Sequence, residues 1–537
     1  MRKTLLLFAA CSGAVLSLSA QSYVSKVWVA DQGDGTYKNP ILYADYSDPD
    51  VCRVGDDYYM TASSFNAVPG LPILHSKDLV SWTLIGHALT KLTPEDVFSK
   101  PQHGNGVWAP SIRYHDGEFY IFYGDPDYGV YMTKSKRAEG LWEPAVLVKP
   151  GKGLIDACPL WDDDGKVYLA HAFAGSRAGI KSILAVCELT SDAKSVLKES
   201  VIVFDGHESD ETVEGPKFYK RNGYYYLLAP AGGVPTGWQL ALRSKNVYGP
   251  YERKVTLEAG KTGINGPHQG GWVDTKTGED WFIHFQDVNA YGRIAHLQPV
   301  KWEKDWPAMG NKGTPVAKHK KPDVGQIYPA ATPVESDEFN ANKLGLQWQW
   351  NANPMSWWVF TNAERGVLRM YSVPVPEGYK SLWDVPNLLL QKFPAPSFTA
   401  TAKLTFKPTP KLKNERAGLL VMGLDYALLS MENTEDGLVL SQNQCMKADK
   451  GSEETVNSTV HLSDNTVYLR VKVEQDEKDA HCTFSYSTNG EKYQHLGAKF
   501  KAKEGKWIGA KVGLFCSRPQ PLNDGGWVDV DWFRVEK

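Results

Sequence analysis

The segment Val54-Gly-Asp-Asp-Tyr-Tyr-Met-Thr-Ala62 decides the fold, because its pattern occurs five times along the chain. In each copy a short apolar run leads into a polar turn that contains glycine, and an aromatic-rich run follows. Glycine supplies the positive φ of a tight hairpin turn, so each copy predicts a pair of antiparallel strands. The turn glycines lie 62, 48, 58 and 55 residues apart, at Gly55, Gly117, Gly165, Gly223 and Gly278.

The spacing of the copies predicts the architecture. Each interval has room for about four strands, which is the size of one propeller blade. We therefore predict an all-β protein in which residues 21–325 form a five-bladed β-propeller. Residues 326–335 are predicted to be a linker. Residues 336–537 contain further short alternating or apolar runs without the blade repeat, which favours a β-sandwich.

The first twenty residues predict export from the cytoplasm. Arg2 and Lys3 precede a mostly apolar stretch from Leu5 to Leu18, and small residues near Ala20 offer a cleavage site. This stretch is too short for a comfortable membrane span and is typical of a signal peptide. We predict a signal peptide at residues 1–20, no membrane span, and a periplasmic or secreted protein.

Composition narrows the function classes. Lys plus Arg (59) nearly balances Asp plus Glu (62), and a net charge of −3 provides no basic surface for a nucleic-acid partner. Aromatic residues make up 12% of the chain. Aromatic rings favour strands, and their flat faces also suit sugar rings. The six cysteines beyond the signal segment show no C-x-x-C spacing, so neither a metal cluster nor a dense disulfide framework is indicated.

Acidic residues occupy matching places in the repeat. The first strand of each blade lines the central channel, so residues at its start converge at one end of the axis. Trp108, Asp156 and Glu214 each lie nine residues before their turn glycine. Asp48 lies seven residues before its glycine, and the fifth unit offers His268 at ten. Gathering three carboxylates would raise the pKa of at least one of them, and stability gives no reason to gather them. Glycoside cleavage does give a reason, because it needs one carboxyl group as acid and another as base.

Several motifs resemble glycoside hydrolase family 43, and together they span nearly the whole predicted propeller. The later domain resembles the concanavalin-like β-sandwich that accompanies β-xylosidase and α-L-arabinofuranosidase members. The resemblance therefore implies a hydrolase that needs no cofactor for its chemistry. The motifs are Tyr46-Ser-Asp-Pro-Asp-Val51, Gly106-Val-Trp-Ala-Pro-Ser-Ile112, Ile155-Asp-Ala157, Glu214-Gly-Pro216 and His296-Leu-Gln-Pro-Val300.

The resemblance also implies roles for the three acids. Asp48 would be the general base that deprotonates water, and Glu214 would be the general acid. Asp156 would orient the acid and would favour its protonated form through like-charge repulsion. The family inverts the anomeric configuration, which implies separated acid and base with a water between them. Ala157 departs from the family pattern because proline often stands at this position.

Further residues are candidates for substrate or metal binding. Trp108 is in register with the acids and either stacks on a sugar or packs between blades. Phe65 resembles the aromatic wall of the family's first subsite, although loop packing is an alternative. Arg293 resembles the family's substrate-contacting arginine. For His268 the resemblance implies a position at the channel centre, beside a structural calcium ion or a water cluster.

The favoured function is an exo-acting glycoside hydrolase. It would release terminal α-L-arabinofuranose or β-D-xylose, or both, from plant cell-wall polysaccharide or oligosaccharide by inversion. The resemblance implies that a loop of the sandwich caps the pocket, so that only a chain end can enter. The alternatives are an endo-acting arabinanase, a non-catalytic carbohydrate-binding propeller, and a retaining enzyme that acts on fructosides.

Overall fold

The computed structural model describes residues 22–537. The signal peptide predicted for residues 1–20 lies outside the described residues. The described chain forms five antiparallel sheets of four or five strands and a two-stranded sheet, followed by two larger sheets. This arrangement confirms the prediction of a five-bladed β-propeller followed by a β-sandwich.

The propeller begins with two short strands and continues with its blades in chain order. The two short strands are β1 (Thr36–Lys38) and β2 (Leu42–Asp45). The first blade contains β3 (Asp50–Val54), β4 (Asp57–Thr61), β5 (Gly70–Ser76) and β6 (Trp82–Leu89), and the second contains β7 (Trp108–His115), β8 (Glu118–Asp125), β9 (Gly129–Ser135) and β10 (Val146–Pro150). The third contains β11 (Leu154–Trp161), β12 (Val167–Phe173), β13 (Ile183–Leu189) and β14 (Val196–Asp205), and the fourth contains β15 (Lys217–Arg221), β16 (Tyr224–Ala231), β17 (Trp238–Ser244) and β18 (Glu252–Glu258). The fifth contains β19 (His268–Asp274), β20 (Asp280–Asp287), β21 (Arg293–Glu303) and the added β22 (Trp306–Met309), after which β23 (Lys318–Lys320) pairs with β1.

The N-terminal strand β2 closes the propeller ring. It pairs with β21 and so becomes the outer neighbour in the fifth blade, joining the start of the propeller to its last blade. All five predicted hairpin turns are present, and their glycines have φ between 63° and 90°. The repeat found in the sequence therefore corresponds to the two inner strands of every blade.

The sandwich consists of two sheets in the remaining chain. One sheet has the order β24-β28-β38-β30-β31-β32-β33, with β27 beside β38, and the other has the order β25-β26-β39-β29-β34-β35-β36, with β37 beside β35. The strands are β24 (Gln349–Trp350), β25 (Val359–Asn362), β26 (Val367–Tyr371), β27 (Val373–Pro374), β28 (Leu389–Lys392), β29 (Phe398–Lys407), β30 (Arg416–Met422), β31 (Tyr426–Thr434), β32 (Gly437–Cys445), β33 (Thr455–His461), β34 (Thr466–Asp476), β35 (Asp479–Ser487), β36 (Gln494–His495), β37 (Phe500–Ala502), β38 (Lys511–Arg518) and β39 (Trp527–Glu536).

Helices are few and short. None of the helices in residues 22–537 is long and apolar enough to cross a membrane. They are α1 (Glu95–Phe98), α2 (Gly175–Ala178) and three 3-10 turns at Asn289–Tyr291, Leu382–Asp384 and Ala448–Lys450.

Side-chain alternation explains the sandwich core. In β34, Val467, Leu469, Val471 and Val473 are fully buried, while most of the residues between them are polar and at least partly accessible. Successive side chains of a strand point to opposite faces, so this alternation places one face of the sheet against its partner sheet. Burial of these apolar faces is the main favourable contribution to the stability of the domain.

Buried histidines make the stability of the fold depend on pH. Burial lowers the pKa of His171 and of His284 to about 4, whereas an exposed histidine has a pKa near 6.5. The unfolded chain therefore binds more protons than the folded chain between pH 6.5 and pH 4. We expect the free energy of unfolding to fall as pH decreases through this range, by at most about 1.4 kcal/mol per pH unit for each such histidine.

Urea denaturation at pH 7, 5.5 and 4.5 measures this effect. His171→Gln should weaken the dependence on pH, whereas His495→Gln, at an exposed position, should leave it unchanged. If the free energy of unfolding changes with pH equally in wild type and in His171→Gln, His171 does not contribute to the pH dependence.

Candidate active site

The inner strand of every blade has a residue in the left-handed backbone region within two positions of its start. The strand register also shifts at this point in the second, third and fifth blades, as it does at a β-bulge. A bulge adds one residue to a strand and redirects the side chains beside it. The left-handed residues are Asp48, Ala109, Asp156, Gly215 and Gln269, with φ of 53°, 27°, 60°, 58° and 37°.

These kinks correct the register inferred from the turn glycines. Counting nine residues back placed Asp156 level with Trp108 and Glu214. The backbone instead aligns Asp156 with Asp48, while Trp108 and Glu214 each come one residue before the left-handed position. Counting along the sequence cannot detect this offset, because the bulges and turns differ in length between blades. The three acids therefore come from two adjacent register positions.

The kinked strand ends surround a pocket of about 340 Å³. The pocket brings together all six residues predicted to act in catalysis or substrate binding: Asp48, Asp156, Glu214, Phe65, Trp108 and Arg293. Sequence reasoning missed several other lining residues, among them Ile155, Thr212, Gln269 and Trp507. Gln269 could have been found as the neighbour of His268 in the fifth repeat.

Asp48 is fixed by hydroxyl donors and a guanidinium group. Its Oδ2 accepts hydrogen bonds from Ser47 Oγ at 2.8 Å and Ser63 Oγ at 2.6 Å. Arg293 Nη1 lies 3.3 Å from Asp48 Oδ1 and donates to Ser47 Oγ at 2.7 Å. Charge-assisted bonds of this kind hold a carboxylate in one orientation.

Asp156 lies within electrostatic range of both other acids. Burial raises its pKa well above the usual range for aspartate, and the charges of Glu214 and Asp48 raise it further. Its Oδ2 accepts a hydrogen bond from the Gly215 N–H at 2.8 Å. Because Gly215 follows Glu214 directly, this bond ties Asp156 to the backbone that carries Glu214.

Glu214 is more accessible than Asp48. Its side chain is 30% exposed, compared with 6% for Asp48. Its Oε1 lies within hydrogen-bond range of His268 Nε2, at the long distance of 3.4 Å. Glu214 is therefore free to contact a group that enters from solvent.

The calcium ion expected beside His268 stays a prediction, and the imidazole itself supplies no oxygen ligand for it. The imidazole is fully buried, points Nε2 towards Glu214, and has no hydrogen-bond partner for Nδ1. Calcium prefers six to eight oxygen ligands, which one imidazole does not provide. Within residues 22–537, no group of three or more His, Cys, Asp and Glu side chains is arranged to hold a metal ion.

Three aromatic rings from distant parts of the chain form one wall of the pocket. The Trp108 ring lies 6.2 Å from Phe65 and 6.1 Å from Trp507, edge to face in both cases. Trp108 Nε1 donates to the Gly104 carbonyl at 2.9 Å, which fixes the ring. Trp507 is half exposed and belongs to the sandwich, so the second domain completes the pocket.

Asp45 joins the two domains beside this wall. Its Oδ1 accepts from the Arg293 backbone N–H at 2.9 Å, and its Oδ2 accepts from the Gly509 N–H at 3.0 Å. A Cβ atom on Gly292 would lie 2.6 Å from Asp45 Oδ1, so only glycine leaves room for this contact. Asp45 therefore fixes the loop carrying Trp507 relative to Arg293.

Comparison with known proteins adds two family matches. The sequence pattern of "Glycosyl hydrolases family 43" matches residues 37–307. The pattern of "Beta xylosidase C-terminal Concanavalin A-like domain" matches residues 336–536. The two matches correspond to the propeller and to the sandwich.

Individual relatives are similar over most of their length. A Xylanibacter ruminicola protein that is provisionally named a β-xylosidase is 39% identical over 92% of this chain and 88% of its own. A non-reducing end α-L-arabinofuranosidase of Bacteroides ovatus is 32% identical over 76% of this chain and 78% of its own. The crystal structure of a xylan β-1,4-xylosidase from Bacillus halodurans superposes with a TM-score of 0.82 at 25% identity, covering 93% of this chain and all of its own.

Asp45→Asn should destabilise the junction between the domains. Asparagine has one acceptor oxygen in place of two, so one of the two backbone N–H groups would lose its partner. We expect a loss of about 1–3 kcal/mol in the free energy of unfolding, measured by urea denaturation. Asp436→Asn, at an exposed turn, serves as the matched control. Equal stability of Asp45→Asn and wild type would contradict the assigned contact.

Proposed function

Because this chain belongs to glycosyl hydrolase family 43 and is a glycoside hydrolase, we propose that it releases single pentose units from the ends of xylan-type or arabinoxylan-type chains by inversion. The observation that carries this proposal is the convergence of Asp48, Asp156 and Glu214 on one pocket. β-D-Xylose is the first candidate sugar, since the relative with 39% identity is provisionally named a β-xylosidase. α-L-Arabinofuranose is the second, on the strength of the Bacteroides ovatus relative.

The shape of the pocket supports action at chain ends. A cleft open at both ends would admit the middle of a polymer, whereas this pocket is bordered by Phe65, Trp108 and Trp507. Trp507 lines the pocket from the sandwich, so the second domain encloses part of it. This enclosure favours the exo-acting hypothesis over the endo-acting arabinanase.

The roles proposed for Asp48 and Glu214 follow from their environments. Asp48, held by three donors, would take a proton from water as the water oxygen bonds to the anomeric carbon. Glu214, the more exposed acid, would give its proton to the glycosidic oxygen as the bond to the leaving sugar breaks. Exchange of protons with solvent then restores both residues. Asp156 would hold the Glu214 backbone through the Gly215 N–H.

The other lining residues would bind the sugar. Arg293 Nη1 already contacts Asp48 and Ser47, so a hydroxyl bound by this guanidinium would lie beside the proposed base. Aromatic faces provide apolar contact for the C–H groups of a sugar ring. Trp108 and Phe65 would supply that contact.

Substitution of the proposed acid and base should have different consequences. Glu214→Gln should lower kcat by about 10²–10⁴-fold on xylobiose, whose leaving group needs a proton. The loss should be smaller on 4-nitrophenyl pentosides, because 4-nitrophenolate leaves without protonation. Asp48→Asn should lower kcat on both substrates, since both need the activated water.

Glu208→Gln is the matched control, because Glu208 is exposed a few residues before Glu214. It should retain wild-type kinetics. Full activity of Glu214→Gln on xylobiose would remove Glu214 from the mechanism. A folded wild-type protein that hydrolyses neither xylobiose nor the 4-nitrophenyl pentosides would support the non-catalytic alternative.

The configuration of the first product tests inversion. Hydrolysis of a β-D-xyloside should give α-xylose before mutarotation, as seen by proton NMR within the first minutes. Initial formation of β-xylose would indicate a carboxylate nucleophile and retention.

Comparison of kcat/KM for the 4-nitrophenyl β-D-xyloside and α-L-arabinofuranoside ranks the two sugars as substrates. If a folded enzyme turns over neither substrate, the pentosidase proposal is refuted.

A further inference from the structure

Gln269 is a buried amide in the pocket for which the protein supplies too few hydrogen-bond partners. It lines the pocket and is only 3% exposed. Its Nε2 is enclosed without a partner, whereas its Oε1 is not enclosed and accepts no hydrogen bond from the described protein. It also occupies the left-handed position of the fifth blade, with φ of 37°. The acids Asp48 and Asp156 occupy the same position in the first and third blades.

Both features cost stability. A buried polar atom without a partner has lost its hydrogen bonds to water and has regained none in the folded protein. A left-handed backbone is also unfavourable for a residue other than glycine. A ligand that donates a hydrogen bond to the accessible Oε1 would account for a glutamine at this position.

The neighbours of Gln269 place such a ligand beside the acids. A Cβ atom on Gly215 would lie 2.6 Å from Gln269 Cδ and 2.8 Å from Nε2, so the amide packs directly on Gly215. Gly215 follows Glu214 and donates its N–H to Asp156. A group bound by Gln269 would therefore lie next to the proposed general acid.

We propose that Gln269 binds a hydroxyl group of the terminal sugar and contributes to the choice of sugar. A sugar hydroxyl donates a hydrogen bond, so it would satisfy the amide oxygen of Gln269, which the protein does not pair by its own bonds. A site that hydrogen-bonds a substrate hydroxyl discriminates against analogues that lack it, because its polar group is then left unpaired. This proposal rests on the pentosidase function proposed above.

The experiment measures kcat/KM of wild type and Gln269→Met on a 4-nitrophenyl pentoside and on its monodeoxy derivatives. Methionine keeps the side-chain length and removes the hydrogen bonds. We expect Gln269→Met to lose about tenfold on the parent pentoside and on the derivatives that keep the bound hydroxyl. On the one derivative that lacks it, wild type and variant should agree within about twofold. The melting temperature of Gln269→Met should equal or exceed that of wild type.

Gln391→Met is the matched control. Gln391 is also buried with an unpaired Nε2, but it lies in the sandwich and outside the pocket lining. Gln391→Met should keep wild-type kcat/KM on every derivative. If Gln269→Met does not fold, Gln269→Gly replaces it, since glycine accepts the left-handed backbone.

Two results would overturn the inference. An equal loss on the parent pentoside and all derivatives, with a shifted pH profile, would show that Gln269 positions Glu214 and does not bind sugar. Wild-type kinetics of the variant on all substrates would show that it does neither. Failure of wild type to hydrolyse any pentoside is a separate outcome, which refutes the proposed function itself.

Discussion

The left-handed kink at the start of each inner strand is the constraint on which the pocket depends. Five strands approach the axis of the propeller, and each turns sharply where it reaches the channel mouth. The kinks at Asp48 and Asp156 place carboxylates directly at these turns, while Glu214 and Trp108 come one residue earlier. A straight strand would alternate its side chains between its two faces. The kinks instead allow neighbouring register positions to face one pocket.

The acids differ because their surroundings differ. Asp48 is held by two hydroxyls and a guanidinium group. Asp156 is buried, and burial raises its pKa. The Glu214 side chain is partly exposed to solvent. Three carboxylates so close together repel one another, and stability alone gives no reason to gather them. Placing each carboxyl group in a different environment would let the three groups serve in the proposed roles of base, acid and support.

The two domains form a single functional unit at the pocket. Trp507 comes from the sandwich, and Asp45 ties the loop that carries it to the backbone of Arg293. Further bonds cross the interface at other points, such as the one from the Ala510 N–H to the Ala290 carbonyl at 2.7 Å. Movement of the sandwich would therefore change the position of one wall of the pocket.

The sequence by itself determined the fold class and six of the fourteen residues that line the pocket. Glycine turns and aromatic runs reflect local requirements of hairpins, and these repeat in every blade, so the five units and the acids before their turns were recognisable. Only the tertiary structure decided the register of Asp156 against Glu214, the contact between Asp45 and Gly509, and the presence of Gln269 and Trp507 in the pocket. These features depend on bulges that leave no fixed spacing, and on contacts between residues more than two hundred positions apart, for which a single sequence carries no local signal.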